Sequence, residues 1–180
     1  MSEVRAGSSE VRVTATDELR RLLDVEREKP SFFGKGSPAL TGNRTDWETP
    51  RELFERLNNF WRFDLDAAAS DANHLCADYF TKETDGLAQS WKGRRVWLNP
   101  PYGKDIAAWV RKAYEETRDG QTLVVMLVPA RTDTRWFHDY IQRHAAEVKF
   151  IRGRLKYTLG GVEQNSAPFP SMLVRFGGEL

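Results

Sequence analysis

Residues 122–128 read Thr-Leu-Val-Val-Met-Leu-Val, TLVVMLV, an unbroken apolar run rich in β-branched side chains. A strand that is solvated on one face alternates apolar with polar; this one does not, so it predicts a strand covered on both faces at the centre of a parallel sheet. Its neighbours in sequence support that reading. Before it, Ile106, Trp109, Val110, Ala113 and Tyr114 recur at three-four spacing, the signature of a helix with one buried face. After it, Trp136, Phe137, Tyr140 and Ile141 predict a second helix. Arg95 to Leu98 (RVWL) reads as another buried strand and Phe63 to Ala67 as a short one. Upstream, Thr49-Pro50-Arg51-Glu52 predicts a helix start, with Thr49 as N-cap, Pro50 in the first turn and Glu52 completing a capping box. Leu53, Phe54, Leu57 and Trp61 then fall on one face. Glu147 to Ile151 and Ser171 to Phe176 are two further strands with no helical pattern between them. The alternation predicts an α/β sandwich with a mostly parallel sheet and a C-terminal antiparallel hairpin.

The chain of 180 residues suits one domain. Residues 1–45 are rich in Ser, Gly and charge and read as a partly disordered leader with a helix at 17–29; the domain is placed at 46–180. Lys and Arg number 27 against 26 Asp and Glu, so a polyanion partner would have to meet a local cluster of cations. Cys76 is the single cysteine, which excludes an internal disulfide and a multi-cysteine zinc site. His74 and Cys76 have no further ligand spaced to join them, and no metal is expected. There is no membrane-span-length apolar run and no signal-peptide core, so the expected location is the cytoplasm.

Ligands of open parallel sheets bind beyond the carboxyl ends of the strands. Three such ends carry polar groups: Asp66-Ala67-Ala68-Ala69-Ser70, Asn99-Pro100-Pro101-Tyr102, and Pro129-Ala130-Arg131. In the second, neither proline has an N–H, so the loop offers acceptors without competing donors. The Asn99 side-chain oxygen beside the Pro100 carbonyl suits an exocyclic amine, and Tyr102 offers a flat face for stacking. Alone, such a stretch is more often a tight turn whose tyrosine packs on the core; its place directly after a buried strand favours a site. Asp66, followed by small residues, reads either as an acceptor for a cofactor or as the end of a strand. Asp85, further on, reads as a second cofactor contact or as an exposed loop acid.

Asp46-Trp47-Glu48-Thr49-Pro50, FDLDAAAS, Tyr79-Phe80-Thr81 with Asp85-Gly86-Leu87, WLNPPYG, PARTDTRWFHDYI, FIRGRLKY and APFPSMLV occur in this order over residues 46 to 176. Together they resemble the phage-type DNA N6-adenine methyltransferases, the Dam-like family. The resemblance implies a Rossmann-like, S-adenosylmethionine-dependent enzyme that methylates adenine in double-stranded DNA after flipping it out of the helix. It assigns catalysis to Asn99, Pro100, Pro101 and Tyr102, and cofactor binding to Trp47, Thr49, Pro50, Asp66, Ala67, Phe80 and Asp85. LDAAAS lacks the glycines of the more general methyltransferase loop. A phage or prophage source is implied, with protection from host restriction as a use.

Between Ala130 and Tyr157 cations outnumber the acids Asp133, Asp139 and Glu147. Arg131, Arg135, Arg152, Arg154 and Lys156 are the candidate DNA contacts, whereas Arg143 and Lys149 read as ordinary solvated charges. Arg152 to Pro168 reads as a long irregular loop suited to sequence recognition. Two rival readings stay open: another amino-methyltransferase with the same catalytic motif, acting on cytosine N4, RNA or protein glutamine, and a DNA-binding module without catalysis.

Overall fold

The computed structural model describes residues 47–178. The leader and its helix at 17–29 lie outside the described residues. Within them is a mixed α/β unit built on a six-stranded sheet. Helix α1 (Arg51–Trp61) leads into β1 (Leu65–Asp66), followed by β2 (Asp78–Tyr79), β3 (Arg95–Leu98), α2 (Ile106–Glu116) and β4 (Leu123–Pro129). A π-helical turn, Phe137–Ile141, runs into one α-helical turn, Gln142–His144 (α3). Strands β5 (Glu147–Phe150), β6 (Thr158–Leu159), β7 (Val162–Glu163) and β8 (Ser171–Gly177) complete the chain. The sheet order is β2-β1-β3-β4-β8-β5, and β6 and β7 form a separate two-stranded ribbon.

Strands β2, β1, β3 and β4 pair in parallel, while β8 runs antiparallel between β4 and β5. The parallel sheet and the antiparallel β5–β8 pair match expectation. β4 is buried at every residue, as its continuous apolar pattern requires. In register, Trp97 faces the same side as Val125, and Val96 the same side as Val124 and Phe176. Helix α1 covers the Trp97 side through Phe54, whose ring centroid lies 5.7 Å from that of Trp97. Helix α2 covers the opposite side, where Tyr114 meets Phe176. Buried apolar side chains of this kind contribute roughly 1.5–3 kcal/mol each, so the two helix faces hold the layers together.

The start of α1 corrects the capping-box expectation. Pro50 is the N-cap and no side chain caps the helix. The helix begins one residue later than the motif predicts, which leaves Thr49 outside capping reach, and Glu52 pairs with Arg56 instead. The end of α1 is sharper than expected. Arg62 adopts the left-handed conformation with φ 55°, and the Asn58 side chain accepts the Phe63 N–H at 2.7 Å. This turns the chain directly into β1, shorter than the predicted Phe63–Ala67. The predicted helix after β4 is present and carries a π-helical segment, with Trp136 and Ile141 buried, and Arg152 to Pro168 is mostly irregular, as expected, apart from one short ribbon. The ribbon is β6–β7, and Leu155, Tyr157 and Ala167 on either side of it in sequence are buried.

Candidate active site

The parallel strands bring Asp66, Tyr79, Leu98 and Pro129 to one edge of the sheet. Backbone bonds tie the first two ends together: Phe80 N–H donates to the Asp66 carbonyl at 2.9 Å, and Ala69 N–H to the Phe80 carbonyl at 2.8 Å. Ala67 N–H donates to the Trp97 carbonyl at 3.1 Å. Gly86 packs so closely that a Cβ there would sit 2.1 Å from the Ala67 carbonyl oxygen, so only glycine fits. Asp66, Ala67, Phe80 and the Asp85-Gly86 turn are therefore neighbours, as the cofactor set requires. The Asp66 carboxylate, however, is buried and turned into its own loop, accepting from Leu75 N–H at 3.1 Å and Ala68 N–H at 3.4 Å. Burial, only partly offset by these donors, raises its pKa to about 6. Asp85 is exposed and accepts its own Leu87 N–H at 3.1 Å, the loop-acid arrangement.

Asn99 follows β3 directly, and both ends of its side chain are held. Nδ2 donates to the Trp47 carbonyl, and Oδ1 accepts from the Tyr102 hydroxyl at 2.8 Å. A carbonyl can only accept, so the Trp47 contact fixes which end of the amide is nitrogen. Beside it, Pro100 is buried, and among the described residues no hydrogen bond reaches its carbonyl. The missing proline N–H has a second effect. Leu123 N–H bonds to the Arg94 carbonyl, so alternate residues of β4, including Leu127, turn their backbone groups toward β3. The donor due at the Leu127 carbonyl is residue 100, which has none. The Tyr102 hydroxyl reaches that acceptor at 3.0 Å, so its single hydrogen is shared between the Leu127 carbonyl and Asn99 Oδ1.

Tyr102 is thus an anchored residue. It is 6% exposed, its ring meets Tyr157 and Phe169 edge-on, and its hydroxyl lies 3.1 Å from that of Tyr157. Tyr157 in turn lies 2.9 Å from Ser171 Oγ. Burial pushes both phenols' pKa upward, keeping them neutral donors. The open stacking face expected of Tyr102 is not present; its ring is part of the site's wall. Tyr157 and Ser171 were not singled out from sequence; the signal available was Tyr157's alternation with Leu155 in a cation-rich stretch.

The Trp47-Glu48-Thr49 segment lies across the site. Glu48 pairs with Thr158 through both backbone groups, and its carboxylate accepts from Gly160 N–H at 3.0 Å and Gly161 N–H at 3.2 Å. Thr49 Oγ1 is buried with no hydrogen-bond partner among the described residues.

A family model described as DNA N-6-adenine-methyltransferase (Dam) matches residues 36–176. The chain belongs to the Dam family. It is 38% identical over 132 residues to the DNA N-6-adenine-methyltransferase of Escherichia phage T1, a match covering 72% of this chain and 54% of that protein. It is 32% identical over 135 residues to the protein of the same name from Haemophilus phage HP1 (strain HP1c1), covering 72% and 77%. The chain spans about half the length of the phage T1 relative.

In this Dam family chain the candidate DNA-binding cations flank the same edge. Arg131 follows β4 and Arg152 follows β5, which runs in the β4 direction; both are exposed. Arg135 is exposed, with Asp139 at 4.0 Å. Arg154 and Lys156 are exposed on the segment leading to the ribbon, and Lys156 is paired with Glu163 at 2.9 Å. Lys149 lies 3.7 Å from Glu147 and is half-buried, so it is not the solvated charge expected. Among the described residues no group of three His, Cys, Asp or Glu could hold a metal ion, and no helix is long and apolar enough to cross a membrane.

Proposed function

We propose that this chain transfers a methyl group from S-adenosylmethionine to the N6 amino group of adenine in double-stranded DNA. The observation that carries this reading is Asn99: an amide clamped at both ends at a strand's carboxyl edge, next to the carbonyl of buried Pro100, which no donor among the described residues occupies. Asn99 Oδ1 keeps a second lone pair, so it and the Pro100 carbonyl form two adjacent acceptors for the two hydrogens of one amine. Accepting both hydrogens leaves the nitrogen lone pair free and directed, and alignment of this kind supplies much of the rate. A guanine or thymine carbonyl in that place would leave both acceptors unpaired, a cost of about 1–3 kcal/mol for each buried group.

The antiparallel β8 lying between β4 and β5 supports a Rossmann-like methyltransferase architecture, with the binding edge at the carboxyl ends of the strands. The residues at that edge fit the cofactor. Thr49 Oγ1 is a buried hydroxyl in need of a partner, and Ala67 to Ala69 with Gly86 permit close backbone approach. Trp47, Thr49, Pro50, Ala67, Phe80 and Asp85 would line its site, with Asp66 shaping the loop from behind. When bound, S-adenosylmethionine supplies an electrophilic methyl group on its sulfonium. The target adenine lies inside a duplex, so it is flipped out, at a cost of a few kcal/mol, before it reaches Asn99. Arg131, Arg135, Arg152, Arg154 and Lys156 would hold the DNA backbone. The expected setting is the cytoplasm of a phage-infected or lysogenic cell, where methylation protects DNA from restriction.

Duplex DNA incubated with the protein and labelled donor, then digested to nucleosides, should yield N6-methyladenine. Label in cytosine, in RNA or in protein instead, or DNA binding without transfer, would overturn the reading. Asn99→Ala should abolish transfer, by at least about a hundredfold, while the protein still folds, with an unfolding free energy lower by about 1–3 kcal/mol for the Trp47 carbonyl left without its donor. Full activity in that variant would remove Asn99 from the mechanism.

A further inference from the structure

Asn99 can serve its acceptor role only if Oδ1, not Nδ2, faces the amine, and the hydroxyl that holds Oδ1 has a problem of its own. Tyr102 has one hydrogen, and two acceptors stand within reach of it, Asn99 Oδ1 at 2.8 Å and the Leu127 carbonyl at 3.0 Å. A third neighbour, the Tyr157 hydroxyl at 3.1 Å, is able either to donate or to accept. If Tyr102 gave its hydrogen to Tyr157, both other acceptors would be left without it inside the protein, an arrangement that buried polar groups avoid. Tyr157 therefore donates to Tyr102. For the same reason its oxygen is free to accept from Ser171, whose hydroxyl lies 2.9 Å away and is 1% exposed.

We infer that Ser171, Tyr157 and Tyr102 form a one-way chain of hydroxyl donors that ends on Asn99, making Tyr157 a positioning residue for methyl transfer. The inference rests on the reading of Asn99 as the amine-binding group. Each hydroxyl in the chain fixes the direction of the next, and polarisation along the chain strengthens the terminal bond. The chain also explains a connection between distant parts of the sequence. Tyr157 directly precedes β6, its ring 5.4 Å from Trp47, whose carbonyl holds the other end of the Asn99 amide. One aromatic residue thereby braces both ends of the same side chain. β8 supplies the source of the chain because Ser171 pairs with Pro129 at the carboxyl end of β4, on the side of the sheet where Tyr157 lies.

The test is steady-state methylation of duplex DNA by Tyr157→Phe, which deletes one oxygen and keeps the ring. The expected result is a kcat lower by about three- to tenfold, the kinetic equivalent of one neutral hydrogen bond. The KM for donor and the Kd for DNA should remain within about twofold. Ser171→Ala should lower kcat in the same direction by a smaller factor, and it serves if Tyr157→Phe does not fold. Tyr102→Phe combined with Tyr157→Phe should be no slower than Tyr102→Phe alone, because both act through one terminal bond. Wild-type kcat in Tyr157→Phe and Ser171→Ala would overturn the chain, as would multiplicative losses in the double variant or a loss confined to KM. If the wild-type protein makes no N6-methyladenine, it is the reading of Asn99 that fails.

Discussion

Asp66 is an acid that the fold buries to shape a loop, and its protonation reports the cost. Its carboxylate holds the Leu75 and Ala68 N–H groups, yet loss of water outweighs these bonds and raises its pKa from 3.8 to about 6. A folded-state pKa above the unfolded one means that the folded protein binds the proton more tightly. The contribution to stability is therefore fully present below about pH 4 and is lost as pH rises through about 6. A shift of about two units corresponds to roughly 3 kcal/mol. Urea unfolding of wild type and Asp66→Asn across pH 4 to 8 should show the wild type losing up to about 3 kcal/mol relative to the variant as pH rises. A difference that does not change with pH would show Asp66 to be ionised in the fold as readily as in water. Asn99, by contrast, carries no charge, and its orientation is set by what surrounds it. That contrast suits their places, one residue behind the loop and the other at the reacting group.

At the scale of elements, the segment before α1 does something other than what its composition suggests. Thr49 resembles an N-cap by spacing, but Pro50 takes that position and Thr49 Oγ1 is left unpaired. Replacing a true N-cap costs typically about 1 kcal/mol. Thr49→Val should therefore change unfolding free energy by less than about 0.5 kcal/mol, while donor affinity measured by calorimetry falls. A stability loss of a full cap with unchanged affinity would restore the capping reading. The same contrast shows what was legible. RVWL and TLVVMLV were readable because burial on both faces leaves an unbroken apolar run, and α2 because its buried residues keep helical spacing. Of the two-residue strands, buried β1 was readable within Phe63–Ala67, whereas Asp78–Tyr79 and the β6–β7 ribbon are too short and too exposed to carry a period. Gly160-Gly161 was the one turn signal there, and these glycines adopt φ of 56° and 77° with Glu48 closing over their N–H groups. NPPY marked the candidate site, but the partners of Tyr102 come from residues 127 and 157. Such contacts depend on sheet order, which local pattern does not contain.

For the whole molecule, the near-neutral charge hides an uneven distribution. Arg131 and Arg152 reach the site's edge because β4 and β5 run in the same direction with β8 between them. The cations there are not equivalent. Lys156 has Glu163 at 2.9 Å, so a phosphate must compete with an existing partner, although an exposed pair of this kind is worth only about 0–1 kcal/mol. Arg152 is exposed at the start of the segment leading to the ribbon, and no ion pair involves it among the described residues. If the proposed duplex lies along this edge, each cation that meets a phosphate adds about 0.9 to the slope of log affinity against log salt. Arg152→Ala should then weaken duplex binding and reduce that slope by about one. Lys156→Ala should reduce it by less, because its charge is already partly neutralised. Binding isotherms for both variants at several salt concentrations measure the two slopes directly. Equal slopes in wild type and Arg152→Ala would place the DNA away from the β5 end and confine the interface to the Arg131 and Arg135 side. Since neither cation touches the Asn99 clamp, kcat at saturating DNA should stay within about twofold of wild type in both variants.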